Sequence, residues 1–320
     1  MSERVRKSAI YRSGTGFGTL ALTGAYGAID DAASVRVIRS AVETGTIMVD
    51  TADFFAGGRV ERLVGRAIAG RRDGVVLATR GGMRLDDGGR PIGVDADPRN
   101  LRRACEASLR RLGVDCIDLY HLARVDPRRP VEESVGALAE LVTAGKIRQI
   151  GLTGASAGQL RRAHAVHPIS ALAVEYSLWE RSAELDRLPV ARELGVPLIA
   201  CRPLGRGFLT GAITSVDRLA QGDLRRSDPR FHHGNIEPNR QLLWAARDVA
   251  ARLDIGFARL ALAWLLSQGP GVLPVPSTRN PVHVEMNAAQ VDLTAEDREA
   301  LRLLFSPGAV AGRAPAFGAP

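Results

Sequence analysis

The feature that most limits what this chain can fold into is a repeated alternation. Short runs of β-branched and apolar residues are each followed by a longer amphipathic stretch, about eight times over in 320 residues. The strand-like runs are Ile47–Asp50, Val75–Thr79, Cys116–Leu122, Ile147–Thr153, Ala171–Glu175, Pro197–Ala200 and Val272–Val275, with a less regular eighth near Phe17–Leu22. Helical periodicity covers Ala32–Glu43, Val60–Ala69, Pro98–Arg111, Val131–Ala144, Ser156–Val166, Leu188–Leu194, Asn239–Leu253 and Ala295–Leu304. Asp97-Pro98 supplies a helix start, and Gly45, Gly113, Gly145 and Gly195 follow helical stretches as stops. This pattern predicts an α/β fold, a (β/α)8 TIM barrel in a single domain. A doubly wound sheet is the competing arrangement, and no G-x-G-x-x-G opens a helix after the first strand to support it. The barrel is expected over residues 1–305, with 306–320 a Pro/Gly/Ala-rich tail. Chemistry in such a barrel sits at the C-terminal strand ends. That singles out Asp50–Phe55, Arg80, His121–Arg124, Thr153–Gly154, Glu175–Trp179, Cys201–Gly205 and Pro276–Asn280.

Charge narrows the partners. The chain has 43 basic against 35 acidic residues, a net charge of +8. Its arginine pairs are scattered along the whole length with acids between them, and aromatics are only 5%, too few for base-stacking platforms. Only Lys7 and Lys146 are lysines, so the excess reflects an arginine-rich composition rather than a nucleic-acid site. No apolar run reaches the ~18 residues a membrane span needs. The first residues lack the apolar core of a secretion signal. Cys105, Cys116 and Cys201 have no metal-ligand spacing, so no metal site is expected and a reducing, cytoplasmic setting is. Oligomeric state stays open.

Six stretches then resemble one family: VDTADFFAGGRVERLVGRAIAG, SLRRLGVDCIDLY, ELVTAGKIRQIGLTG, EYSLWERSAE, PLGRGFLTG and LPVPSTRNPVHVEMNAAQVDLTAED, in order from about Gly14 to Phe305. The chain is identified as a divergent member of the aldo-keto reductases. The resemblance implies a (β/α)8 barrel that binds NADP(H) across its strand ends and reduces aldehydes and ketones. It also implies four catalytic positions. The aspartate falls on Asp50, the proton-donating tyrosine on Phe55, the lysine on Arg80 and the histidine on Ala123. Phenylalanine has no proton to give, alanine no polar group, and arginine keeps the lysine's charge without its acid–base range. The nicotinamide positions are altered as well. The ring platform falls on Cys201, and the amide clamp on Thr153, Gly154 and Ala173. At the adenine end His283 and Met286 replace the family's arginine and glutamate. What the resemblance retains is cofactor-binding apparatus for phosphate: Gly205, Arg206 and Gly207 in the pyrophosphate loop, Ser277, Thr278 and Arg279 at the 2′-phosphate, and Asn287.

Substitutes for the missing groups are sought among the strand ends. His121 precedes Ala123 by two residues and shares its side of the strand, which would place an imidazole able to act near neutral pH beneath the site. Asp50 and Arg80 form a second acid–base or anchoring pair. Arg124 and Arg202, with Arg80 and Arg206, suggest an anionic small-molecule ligand, and Phe54, Phe55, Tyr176 and Trp179 suggest its apolar wall. Cys201 is expected to fill space, and His232 and His233 to lie in a solvated loop. The leading expectation is a non-redox reaction (elimination, isomerisation or cyclisation) in specialised metabolism that needs no cofactor, NADP(H) binding being weakened. The alternatives are an NADP(H)-dependent reductase of an activated alkene or imine, and a non-catalytic binding or regulatory subunit.

Overall fold

The computed structural model describes residues 14–312. Eight parallel strands form one sheet: β1 (Phe17–Gly18), β2 (Met48–Asp50), β3 (Val76–Gly81), β6 (Ile117–Leu122), β7 (Ile147–Thr153), β8 (Ile169–Glu175), β9 (Leu198–Cys201) and β10 (Val272–Val275), paired in that order. The sheet closes on itself. Gly16 N–H donates to the Pro274 carbonyl and Gly18 N–H to the Pro276 carbonyl, each at 2.9 Å, and Gly18 bridges Ser277. The closure is tight there: a Cβ on Gly16 would stand 3.0 Å from Val275 Cγ2 and one on Gly18 3.2 Å from the Val275 carbonyl oxygen.

Helices α1 (Asp31–Glu43), α2 (Arg59–Ile68), α3 (Pro98–Leu112), α4 (Val131–Thr143), α5 (Ala157–Val166) and α6 (Arg187–Glu193) connect successive strands outside the barrel. Several starts are capped by their own sequence. Asp97 accepts from Arg99 N–H ahead of Pro98, and Ser156 with Gln159 forms a reciprocal capping box. The core has two layers. Strand residues of one parity, Met48, Val76, Ala78, Leu119, Ala171, Ala173, Ile199 and Leu273, fill the barrel interior. The other parity packs outward on the helices. The interior parity extends upward through Asp50, Arg80, His121, Ala123, Thr153, Glu175 and Cys201, and so carries the strand-end side chains inward.

The strand–helix alternation is as expected, with five differences, one of them a helix over Pro281–Ala288 that the periodicity did not single out. β1 is only two residues long, and Leu20–Thr23 forms a 3-10 turn instead of continuing it. A hairpin, β4 (Met83–Leu85) with β5 (Pro91–Val94), follows β3. The stretch expected as one helix over Asn239–Leu253 is two, α7 (His233–Ala245) and α8 (Arg247–Arg252), so His233 begins a helix instead of lying in a loop. Helix α9 (Phe257–Leu266) was invisible to an amphipathic search because it is apolar almost all round and nearly fully buried. Helices α10 (Pro281–Ala288) and α11 (Ala295–Leu304) end the barrel. The first residues of the tail fold back on α7: Ala311 N–H donates to Asn239 Oδ1 at 2.8 Å.

Candidate active site at the barrel mouth

Asp50 and Arg80 meet at the top of the barrel interior. Arg80 Nη2 donates to both carboxylate oxygens of Asp50, 2.6 Å from Oδ1, and both residues are buried. Arg80 Nη1 lies 3.4 Å from Thr153 Oγ1, while Nε has no partner among the described residues. Burial works against the cation, but the Asp50 carboxylate outweighs it and holds the guanidinium charged. The pair is therefore a fixed dipole with a spare donor. Cys201 stands beside it, its thiol pushed up to about 11 by burial with Arg80 pulling the other way, so it is a neutral thiol and not a nucleophile.

His121 pairs with Arg80 across β3 and β6 and lies directly beneath Ala123. Its ring is 0% exposed, and among the described residues neither nitrogen makes a hydrogen bond of good geometry, the Leu152 backbone being the polar group that favours its charged form. The ring rests on Gly151, where a Cβ would come within 2.3 Å of His121 Nδ1. Burial first, and the Arg80 charge second, hold its pKa well below 6.5. This corrects the expectation of an imidazole that titrates near neutrality: the ring is neutral and stays so.

The loop after β2 carries Phe54 and Phe55, half-buried and packed edge to face with centroids 5.3 Å apart. Two residues before Phe55, within the stretch singled out by the sequence, lies a group to which sequence reasoning gave no role. Asp53 is 6% exposed, and its Oδ1 has no partner. Burial, then the neighbouring Glu61 carboxylate, push it up to about 8. Glu61 is itself committed, accepting from Thr79 Oγ1 at 2.7 Å and Arg111 Nε at 2.6 Å. The Tyr120 hydroxyl, also without a partner, packs with Asp53 Oδ2 against Gly81.

Above β8 and β9 an alternating network of charges forms. Arg202 Nη1 donates to Glu175 Oε2 at 2.6 Å, and Arg230 Nη2 reaches Glu175 Oε1 at 3.1 Å and Asp228 Oδ2 at 2.7 Å. Arg206 Nε lies 3.4 Å from the same Asp228 oxygen. Arg230 covers the Trp179 ring at 4.5 Å, and Trp179 stacks on Phe208 at 4.2 Å. Trp179 therefore supports the 205–210 turn. Tyr176 is not at the mouth: it faces outward against Trp264 and donates to Glu184 Oε1 at 2.9 Å, so it forms no wall for a ligand. Glu175 lies in a strand-end stretch that the sequence singled out, but Asp228 and Arg230 escaped sequence reasoning because only the third dimension joins Asp228-x-Arg230 to a strand end.

The 205–207 backbone is left-handed at three successive residues, with φ of 54° at Gly205, 57° at Arg206 and 91° at Gly207. The turn uses its own amides: Gly205 N–H donates to the Arg202 carbonyl and Gly207 N–H to the Leu204 carbonyl, each at 2.9 Å. Nearby, Arg225 covers the Tyr26 ring at 4.7 Å, and Arg279 Nη1 donates to the Ala28 carbonyl at 3.2 Å. Ser277 Oγ accepts from Ala21 N–H at 2.8 Å, Thr278 Oγ1 from Asn280 N–H at 3.1 Å, and Asn287 is buried on α10.

The fold that carries this site has known counterparts. The pattern of the Aldo/keto reductase family matches residues 15–303. The chain belongs to the aldo/keto reductase family. The glycerol dehydrogenase of Gluconobacter oxydans is 31% identical, with 91% of this chain and 90% of that one covered and a TM-score of 0.83. The holo aldo-keto reductase of Bacillus halodurans is 27% identical, with 91% of each chain covered and a TM-score of 0.74. An aldo/keto reductase of Klebsiella pneumoniae, solved with NADP and acetate, is 28% identical, with 95% and 94% covered and a TM-score of 0.72. Among the described residues no helix is long and apolar enough to cross a membrane.

As an aldo/keto reductase, the chain can be tested for its fit to the nicotinamide nucleotide that its relatives' structures name. The phosphate half offers cations, with Arg206 on the 205–207 turn and Arg225 Nη1 donating to the Arg206 carbonyl at 3.3 Å, whereas the Gly205 and Gly207 amides are committed within the turn. The nicotinamide half offers little, since Cys201, Gly154 and Ala173 present no ring face and no amide partner, and Thr153 alone has a hydroxyl.

Proposed function

We propose that this aldo/keto reductase is an NADP(H)-dependent oxidoreductase whose acceptor, an activated alkene or an imine, requires no side-chain acid at residue 55. The observation that carries this reading is the buried Asp50–Arg80 pair with its free Nε donor. Gly205, Arg206 and Gly207, with Ser277, Thr278, Arg279 and Asn287, would hold the nucleotide's phosphates and adenosine end. Reduced nicotinamide, when bound, supplies a hydride. Arg80 stays charged throughout and meets negative charge that develops on the acceptor, a preorganised electrostatic role. Phe54 and Phe55 exclude water from that face, and solvent delivers the proton. A simple aldehyde needs a proton at oxygen as hydride arrives, and the absence of such a donor typically costs 10²–10⁴-fold in rate.

The test is NADPH oxidation with cyclic enones and imines beside matched simple aldehydes. The enone or imine should be turned over at least ~100-fold faster than the aldehyde. Equal or faster aldehyde reduction would overturn the reading. A second reading, non-redox acid–base chemistry on a small anionic molecule, draws on the bare nicotinamide end at Cys201, Gly154 and Ala173. It is distinguished by turnover without nucleotide.

A further inference from the structure

The arginines around the mouth differ in one respect that their sequence positions conceal. Arg80 is neutralised by Asp50, Arg202 by Glu175, Arg225 by Asp223, and Arg230 by Asp228 and Glu175. Arg206 has Asp228 within 3.4 Å. Arg124 has nothing. It follows Ala123 directly at the C-terminal end of β6, is half-buried, and its Nη2 is shielded from solvent without a hydrogen-bond partner. Burial alone acts on its charge and pulls its pKa down, and no carboxylate opposes that pull. The nearest acid in the chain is already committed: Asp126 accepts from Arg128 Nε at 3.0 Å through Oδ1 and from Arg128 Nη2 at 2.9 Å through Oδ2.

A partly desolvated cation without a counter-ion weakens the free protein and gains when an anion arrives. We propose that Arg124 is the substrate-anchoring residue of this mouth and that it binds a carboxylate or phosphate group carried by the substrate. The acceptor is then an anionic molecule, its charged end on Arg124 and its reacting end toward Arg80. Arg202, which the sequence also offered as an anion contact, is already held by Glu175 and is left out of this role. The proposal rests on the oxidoreductase reading only in treating the mouth as a substrate site.

The test uses the full chain without nucleotide, so failure of hydride transfer leaves it intact. Acetate, inorganic phosphate and 4-oxopentanoate, with the methyl ester of the last as neutral control, are titrated at constant ionic strength into wild type, Arg124→Lys and Arg124→Met. Calorimetry and thermal unfolding report binding. At least one anion should bind the wild type saturably and roughly tenfold or more tighter than it binds Arg124→Met, while the ester shows no such difference. Arg124→Lys should retain part of the preference, because it keeps the charge and loses the fork. Without ligand, Arg124→Met should melt no lower than wild type, since it removes an uncompensated charge; this also shows that the variant folds. Anion binding that is equal in wild type and Arg124→Met, or no saturable anion binding in either, overturns the proposal.

Discussion

Arg80 and Asp50 face each other where neither meets bulk solvent, and that decides what substitution does to them. Asp50→Asn would leave Arg80 a buried cation with no counter-charge, and breaking such a pair costs about 3–5 kcal/mol. We expect that loss in denaturant unfolding, and most of it recovered in the double variant Asp50→Leu/Arg80→Met, which removes both charges. Asp53 behaves in the opposite sense. Its pKa is raised from 3.8 to about 8 in the folded chain, so the unfolded chain releases its proton first. Stability therefore falls as pH rises from about 4 to about 8 and is flat beyond, a change on the order of 5 kcal/mol for a group that titrates alone. Asp53→Asn should abolish this slope. Its melting temperature should exceed that of wild type by several degrees at pH 8.5 and by little at pH 4. A gain that is equal at both pH values would show that Asp53 is not a protonated acid in the folded protein.

At the scale of elements, β6 and β7 are fitted to each other through one imidazole. Gly151→Ala would drive a methyl into His121 Nδ1, and overpacking of this kind costs about 1–3 kcal/mol. His121→Ala in the same chain should restore most of it, and a double-mutant cycle on unfolding free energies measures the coupling. Additive effects would mean that the two residues do not share that space. These same strands show how much was legible in the sequence. Short continuous apolar runs located β2, β3 and β6 to β10 to within two residues, because strands buried on both faces are apolar at nearly every position. Parity along β6 put His121 under Ala123 correctly. It could not show that Gly151 seals the ring from water, and so misjudged its titration. Tyr176 failed for a related reason: one step of parity separates Glu175, which points inward, from Tyr176, which packs on α9. The pairing of mouth arginines was illegible, since Glu175, Asp228 and Arg230 meet only after β8 and the 205–231 segment come together.

At the scale of the whole molecule, the chain is an aldo/keto reductase barrel that carries Phe55, Arg80 and Ala123 at its strand ends. If loss of the proton donor is what separates this chain from ordinary carbonyl reduction, restoring it should matter. The triple variant Phe55→Tyr/Arg80→Lys/Ala123→His should gain simple aldehyde reduction by NADPH of at least ~100-fold over wild type. No gain, despite retained NADPH binding, would place the barrier at Cys201 and the bare amide site instead. The account stands most directly on one measurement: calorimetric titration of NADPH into protein shown by mass spectrometry to carry no nucleotide, with Arg206→Met beside it. The prediction is saturable binding of one nucleotide per chain in the low-micromolar range, weakened roughly tenfold or more in Arg206→Met. No binding up to millimolar NADPH would contradict the oxidoreductase account and turn the search to non-redox substrates.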